Sequence, residues 1–169
     1  MEIYSVGCAK VEIGDFSTTD GTTTNYSQIA VLKDTVYLNE SAPTKNKFFK
    51  VGSPSPVKIG ITPGQDIITF SVIDVSVEMM AKLLGGTVTT VNGVKTFNKA
   101  KTLPTEKIFA LRVTTLDNLI FEVPRGSWTV AKNFQMADNQ IMHLACEVEV
   151  TDTGFVSVPD YKWTQPATT

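Results

Sequence analysis

This chain has little of what most enzymes and nucleic-acid-binding proteins are built from. Its 169 residues include one histidine, two cysteines and two arginines, and only 19% of them are charged. Two cysteines cannot make the disulfide framework that staples small secreted domains. One His and two Cys also fall short of a four-ligand zinc site, and their spacing fits no zinc pattern. A formal charge of -2 with a pI near 5.4 argues against a surface that grips phosphate, because the fifteen basic residues are spread thinly along the chain. No run of about 18 apolar residues is present, so no membrane insertion is expected. No basic-plus-apolar leader is expected either, since the first strand begins at Glu2.

Catalytic constellations are equally sparse. His143 lies on the acidic side of an alternating strand with Ala145 and Glu147, and reads as structural, because a general base needs an orienting partner and a nucleophile in reach. No nucleophile-elbow pattern surrounds a serine. Glu147 with Glu149, and Glu2 with Glu12, share strand faces as solvated carboxylates rather than as a glycosidase pair. Asp15 and Asp20 lack the dense acidic spacing of a calcium loop. Gly85-Gly86 follows a helix, whereas phosphate loops precede one. The triplets at Asn25 and Asn39 are chance matches to the glycosylation pattern. No enzyme, metal site or cofactor is expected. Cys8 and Cys146 would be neighbours if the first and last strands pair, but buried free thiols are the reading that cysteine's ordinary burial favours.

What the chain does have is alternation. Ile3, Val11 and Ile13 oppose Glu2, Lys10 and Glu12 in a first strand, and Asp15 to Gln28, rich in Thr, Ser, Asp and Gly, reads as an exposed connection. Ile29 to Leu32 and Thr35 to Leu38 are short strands around Lys33-Asp34. Asn39 to Pro56, holding three prolines, reads as a long loop, and Phe48-Phe49 between Lys47 and Lys50 are odd residues to expose to water. Ile67 to Ile73 is a β-branched strand. Ser76 then caps a helix in which Val77, Met80, Ala81 and Leu84 share one face, Glu78 and Lys82 lie opposite, and Gly85-Gly86 ends the turn. Asn92-Gly93 joins Thr87–Val91 to Val94–Phe97 in a hairpin, because both turn positions need positive φ. Asp117-Asn118 similarly joins Lys107–Thr115 to Leu119–Val123. Trp128 to Phe134 and Met142 to Val150 are further strands, and Pro159 to Thr169 is a flexible or partner-docked tail. Residues 1–169 read as one mainly β domain, an antiparallel β-sandwich or partly closed barrel with one short helix at about 76–84.

The order of these pieces carries more than any one of them. The strand DIITFSVIDV, the helix VEMMAKLLGG, a hairpin and then IFEVPRGSWTVAKNFQMADNQIMHLACEVEV resemble a bacteriophage tail tube protein over roughly Ser53 to Val150. The resemblance implies a structural virion protein that assembles with itself into stacked six-fold rings. It also implies contact with other tail proteins, transient passage of DNA through the channel, and assembly in the bacterial cytoplasm into the virion tail. Closing a sheet across subunits removes strand edges that otherwise aggregate, and head-to-tail stacking gives an open filament.

Under that resemblance the helix face of Val77, Met80, Ala81 and Leu84 packs across the barrel. Lys47, Phe48, Phe49 and Lys50 dock on a neighbouring subunit or ring. Arg112, Thr114, Ile120 and Glu122 belong to the channel sheet. The competing reading is a surface or secreted β-sandwich module that binds carbohydrate or a protein ligand, with Tyr26, Trp128, Tyr161 and Trp163 as aromatic platform candidates.

Overall fold

A computed structural model describes residues 7–102, 106–135, 137–138 and 140–166. Glu2, Ile3 and the last three residues of the predicted tail lie outside this range. The main body is an 8-stranded sheet in the order β2-β1-β9-β10-β11-β6-β3, with β12 also paired to β10. Its strands are β1 Cys8–Phe16, β2 Thr23–Ile29, β3 Tyr37–Glu40, β6 Asp66–Val72, β9 Ile108–Thr115, β10 Ile120–Asn133, β11 His143–Val150 and β12 Lys162–Thr164. Two separate two-stranded sheets pair β4 (Thr44–Phe49) with β5 (Pro56–Thr62), and β7 (Gly86–Val91) with β8 (Val94–Lys99). Every strand pairing is antiparallel. The expected mainly β, antiparallel class with one short helix is therefore what the chain adopts.

The large sheet curls without closing. After β2 the chain crosses to the far side, where Val31 bridges Val72, the Leu32 amide donates to the Ser71 carbonyl at 2.8 Å and the Ile73 amide to that of Ala30 at 2.9 Å. Side chains turned inward by this curl form the core: Val11, Ile13, Ile68, Phe70, Leu111, Val123, Trp128, Leu144 and Val148. The alternation predicted for β11 is realised, with Leu144, Cys146 and Val148 buried between exposed Ala145 and Glu147. Trp128 stands edge-on to Phe70 and Phe109, with ring centroids 5.5 and 5.8 Å away, and its indole N–H donates to the Phe109 carbonyl at 3.1 Å.

The helix α1 spans Val77–Leu84, and the Ser76 hydroxyl accepts from the Met79 amide. A cap of this kind stabilises a helix by about 1 kcal/mol. Gly85 at φ 77° ends it, and Gly86 opens β7 so close to Asn98 that a Cβ there would lie 2.3 Å from the Asn98 carbonyl oxygen. The inward face differs from the expected one. Leu83 is the buried residue, and Met79 and Leu84 join the core, whereas Val77, Met80 and Ala81 are half-buried. Six of the eight residues are apolar, so two stripes compete and the spacing alone does not choose the roll. Glu78 pairs not along the helix with Lys82 but across to Lys95 on β8.

Other expectations are corrected. The connection expected over Asp15 to Gln28 contracts to the turn Ser17–Thr22, closed by the Ser17 amide on the Thr22 carbonyl and by Asp20 on the Thr22 amide, and Thr23–Ile29 is strand β2. Threonine's β-branching suits a half-exposed edge strand. The short strand expected at Thr35 to Leu38 sits later, at Tyr37–Glu40. The two strands expected around Pro124 are one long β10. Its register against β9 shifts between Val123 and Gly126, so the proline lies in a bulge and owes the ladder no N–H. Lys162–Thr164 of the expected tail is a short strand on β10, opposite Ile120–Glu122. Cys146 is buried as expected but Cys8 is exposed, and both thiols are free, on strands that do not pair.

Candidate interaction surfaces

The largest correction falls on Asn39 to Pro56. This segment holds the end of β3 and all of β4, which pairs with β5 as a two-stranded arm separate from the main sheet. β4 is exposed along its whole length. Its alternation puts Lys45, Lys47 and Phe49 on one side, with Lys45 opposite Ile61 and Lys47 opposite Ile59. Phe48 lies on the other side, over Gly60, whose added Cβ would stand 3.7 Å from the Phe48 ring. Phe48 and Phe49 are 55% and 56% exposed, and Val57, Ile59 and Ile61 are at least half exposed. Lys50 begins the turn that joins the two strands. The four predicted interface residues are thus brought together, on a ribbon rather than on a loop.

The arm's charge is one-sided. Lys45, Lys47, Lys50 and Lys58 lie between Ser41 and Gln65 with no acidic residue. Of the fifteen basic residues this leaves eleven on the rest of the chain, against all seventeen acidic ones. A net-negative body therefore carries an apolar, positive ribbon. An isolated two-stranded ribbon is marginal in water, and exposed apolar surface of this kind marks an interaction site.

The channel-sheet candidates fall on the face of β1, β9 and β10 turned away from the core. Register places Gln28, Glu12, Arg112, Glu122 and Lys162 in one row across five strands. Thr114 and Ile120 occupy the next row, beside Lys10 and Thr164. Glu122 is only 6% exposed. Its carboxylate accepts from Tyr26 at 3.0 Å, Arg112 at 3.3 Å and Thr23 at 3.4 Å, and pairs with Lys162 at 3.4 Å. The Arg112 guanidinium also lies 3.7 Å from the centre of the Tyr26 ring. Charges alternate along this row, so the face has no strong sign. Glu12 Oε2 and Thr114 Oγ1 are buried there with no hydrogen-bond partner among the described residues. Sequence reasoning placed Arg112 and Glu122 in one candidate sheet but missed Tyr26 and Lys162 as their partners, which meet Glu122 only through the β1–β2 and β10–β12 pairings.

Burial pushes the Tyr26 phenol up to about 12, with the Glu122 carboxylate adding to the effect. An unfolded tyrosine ionises near pH 10. Between these values the folded chain holds a proton that the unfolded chain has lost. The Tyr26 contribution is therefore full below about pH 10 and is lost as pH rises toward 12. Denaturation midpoints should fall more steeply across that interval in the unmodified protein than in Tyr26→Phe. Equal slopes would show that Tyr26 is not the group responsible.

The remaining candidates are plain. The His143 Nδ1 lies 3.1 Å from the Ile141 carbonyl and Nε2 3.1 Å from the Asn133 amide, so both ring nitrogens are engaged structurally. No group of three or more His, Cys, Asp or Glu side chains suited to a metal occurs among the described residues. No helix among them is long and apolar enough to cross a membrane. A cleft of about 770 Å³ lies at the seam where the curled sheet fails to close, lined by Val11, Ile29, Val31, Leu38, Phe121 and Trp163. Of the four platform aromatics, Trp128 is core and Tyr26 is committed to Glu122, while Tyr161 and Trp163 are exposed and packed on Phe121.

The chain matches no protein-family model, and no curated protein is similar to it at a significant level.

Proposed function

We propose that this chain is a self-assembling structural subunit of the bacteriophage tail-tube type, forming stacked hexameric rings around a DNA-conducting channel in the virion tail. The observation that carries the reading is the β4–β5 arm. It is apolar and positive, exposed along β4, and borne on a net-negative body. A chain that stays alone gains nothing from such a ribbon, whereas one that meets copies of itself buries it. The open ends of the large sheet support the same reading. β2 and β3 are its terminal strands and offer backbone groups that a neighbouring copy can pair.

The polar row through Arg112 and Glu122 suits a wall that polyanionic DNA slides past. Its alternating charges neither hold the phosphate backbone nor create a deep repulsive field. The subunit needs no catalytic step for this role, and its other partners are neighbouring tail proteins. Negative-stain imaging and sedimentation across a concentration series test the proposal. Rings or tubes that grow with concentration are the expected result. A monomer at every concentration would sink it.

A further inference from the structure

We infer that the outer face of β10, β11, β6 and β3 is the seat on which the β4–β5 arm of a second copy lies. This inference rests on the self-assembly reading above and adds to it the surface that receives the arm. The register aligns Thr129, Glu147, Thr69 and Tyr37 in one row across the four strands, and Ser127, Glu149, Ile67 and Asn39 in the next. A groove of about 450 Å³ follows the first of these rows, with Ala131, Ala145 and Ser71 beside it. Small side chains leave room for another ribbon to approach at sheet-packing distance, about 10 Å between backbones.

Charge selects the occupant. The two rows contain Glu147 and Glu149 and no cation. Arg125, the cation just beyond them on β10, is turned to Glu106 at 3.9 Å and to the Asp152 carbonyl at 2.8 Å. The arm has the opposite inventory, four lysines and no carboxylate. On one of its sides Lys45 and Lys47 flank the apolar line of Ile59, Ile61 and Phe49. Laid on the face, that line covers the groove while the two lysines reach the two glutamates. The arm and the face are different surfaces of one chain, so the contact is heterologous and repeats from copy to copy.

A charge exchange tests the pairing. Lys45→Glu/Lys47→Glu and Glu147→Lys/Glu149→Lys are made separately and then combined in one chain, with circular dichroism and denaturation midpoints confirming that each folds. Each double variant should raise the concentration needed for assembly by about tenfold or more, the equivalent of about 1.4 kcal/mol. The four changes together should bring it back toward that of the unmodified protein. If the Glu147/Glu149 variant assembles like the unmodified chain while the lysine variant fails, the arm docks elsewhere; this inference falls and the assembly reading stands. It falls likewise if both double variants fail and the combination does not recover. An unmodified chain that stays monomeric at every concentration removes the assembly reading itself, and the inference with it.

Discussion

Phe48→Asp/Phe49→Asp should remain a folded protein and lose assembly. Both rings are more than half exposed and contribute little to the subunit's own stability, so the unfolding midpoint should stay close to that of the unmodified chain. Phe49 lies on the side of the arm that meets the receiving face, and covering its exposed part is worth about 1 kcal/mol, about fivefold in the concentration that supports assembly. The introduced carboxylates add a desolvation cost and cancel part of the arm's positive charge, so the observed shift should exceed that figure. Sedimentation and electron microscopy read assembly, and circular dichroism reads the fold. Tubes forming at the usual concentration would mean that the arm is not an assembly element.

The arm is also where sequence reading and structure part most widely, and the reason is physical. Strands are recognised from alternation because burial on one face selects apolar residues at every second position. A ribbon exposed on both faces is under no such selection within its own chain. Thr44–Phe49 therefore shows no period, and the prolines at 54 and 56 make the stretch look like a connection. What remained legible was the anomaly, two adjacent phenylalanines between lysines. β2 hid for a related reason: Thr-rich edge strands have the composition of loops. β10 was divided at Pro124 because a bulge cannot be told from a strand end without its pairing partner.

Elements whose chemistry is local were read correctly. Ser76 and Gly85 bound the helix at both ends. Asn92 and Gly93 adopt positive φ at the turn between β7 and β8, as does Asn118 in the second hairpin. The polar row was legible in part, since alternation puts Arg112 with Thr114 on one side of β9 and Ile120 with Glu122 on one side of β10, and the pairing of the two strands makes these a single face. Which residues face each other across this hairpin was not legible, because a two-residue turn at Asp117-Asn118 would set Arg112 opposite Val123, whereas the actual register sets it opposite Glu122. The approach of Tyr26 and Lys162 was not legible either, because it depends on strands distant in sequence.

Trp128→Ala should cost the subunit about 3 to 5 kcal/mol, the range for removing a large buried aromatic side chain. Three separate contributions vanish together at this position. The indole is 4% exposed, within the main apolar cluster. It stands edge-on between Phe70 of β6 and Phe109 of β9, and each such pair is worth about 0.5–1.5 kcal/mol beyond the area buried. Its N–H satisfies the Phe109 carbonyl, which the substitution leaves with one partner fewer. Small domains hold only about 5–15 kcal/mol in total, so the variant should unfold at markedly lower denaturant and assemble poorly because little of it is folded. Trp128→Phe keeps much of the area but not the N–H, and should fall between the two. The same pair bears on the carbohydrate-platform reading. A surface tryptophan used to stack on a sugar can be removed with little change in stability, whereas this one joins both halves of the curled sheet. A Trp128→Ala protein as stable as the unmodified chain would overturn the core assignment and reopen that alternative.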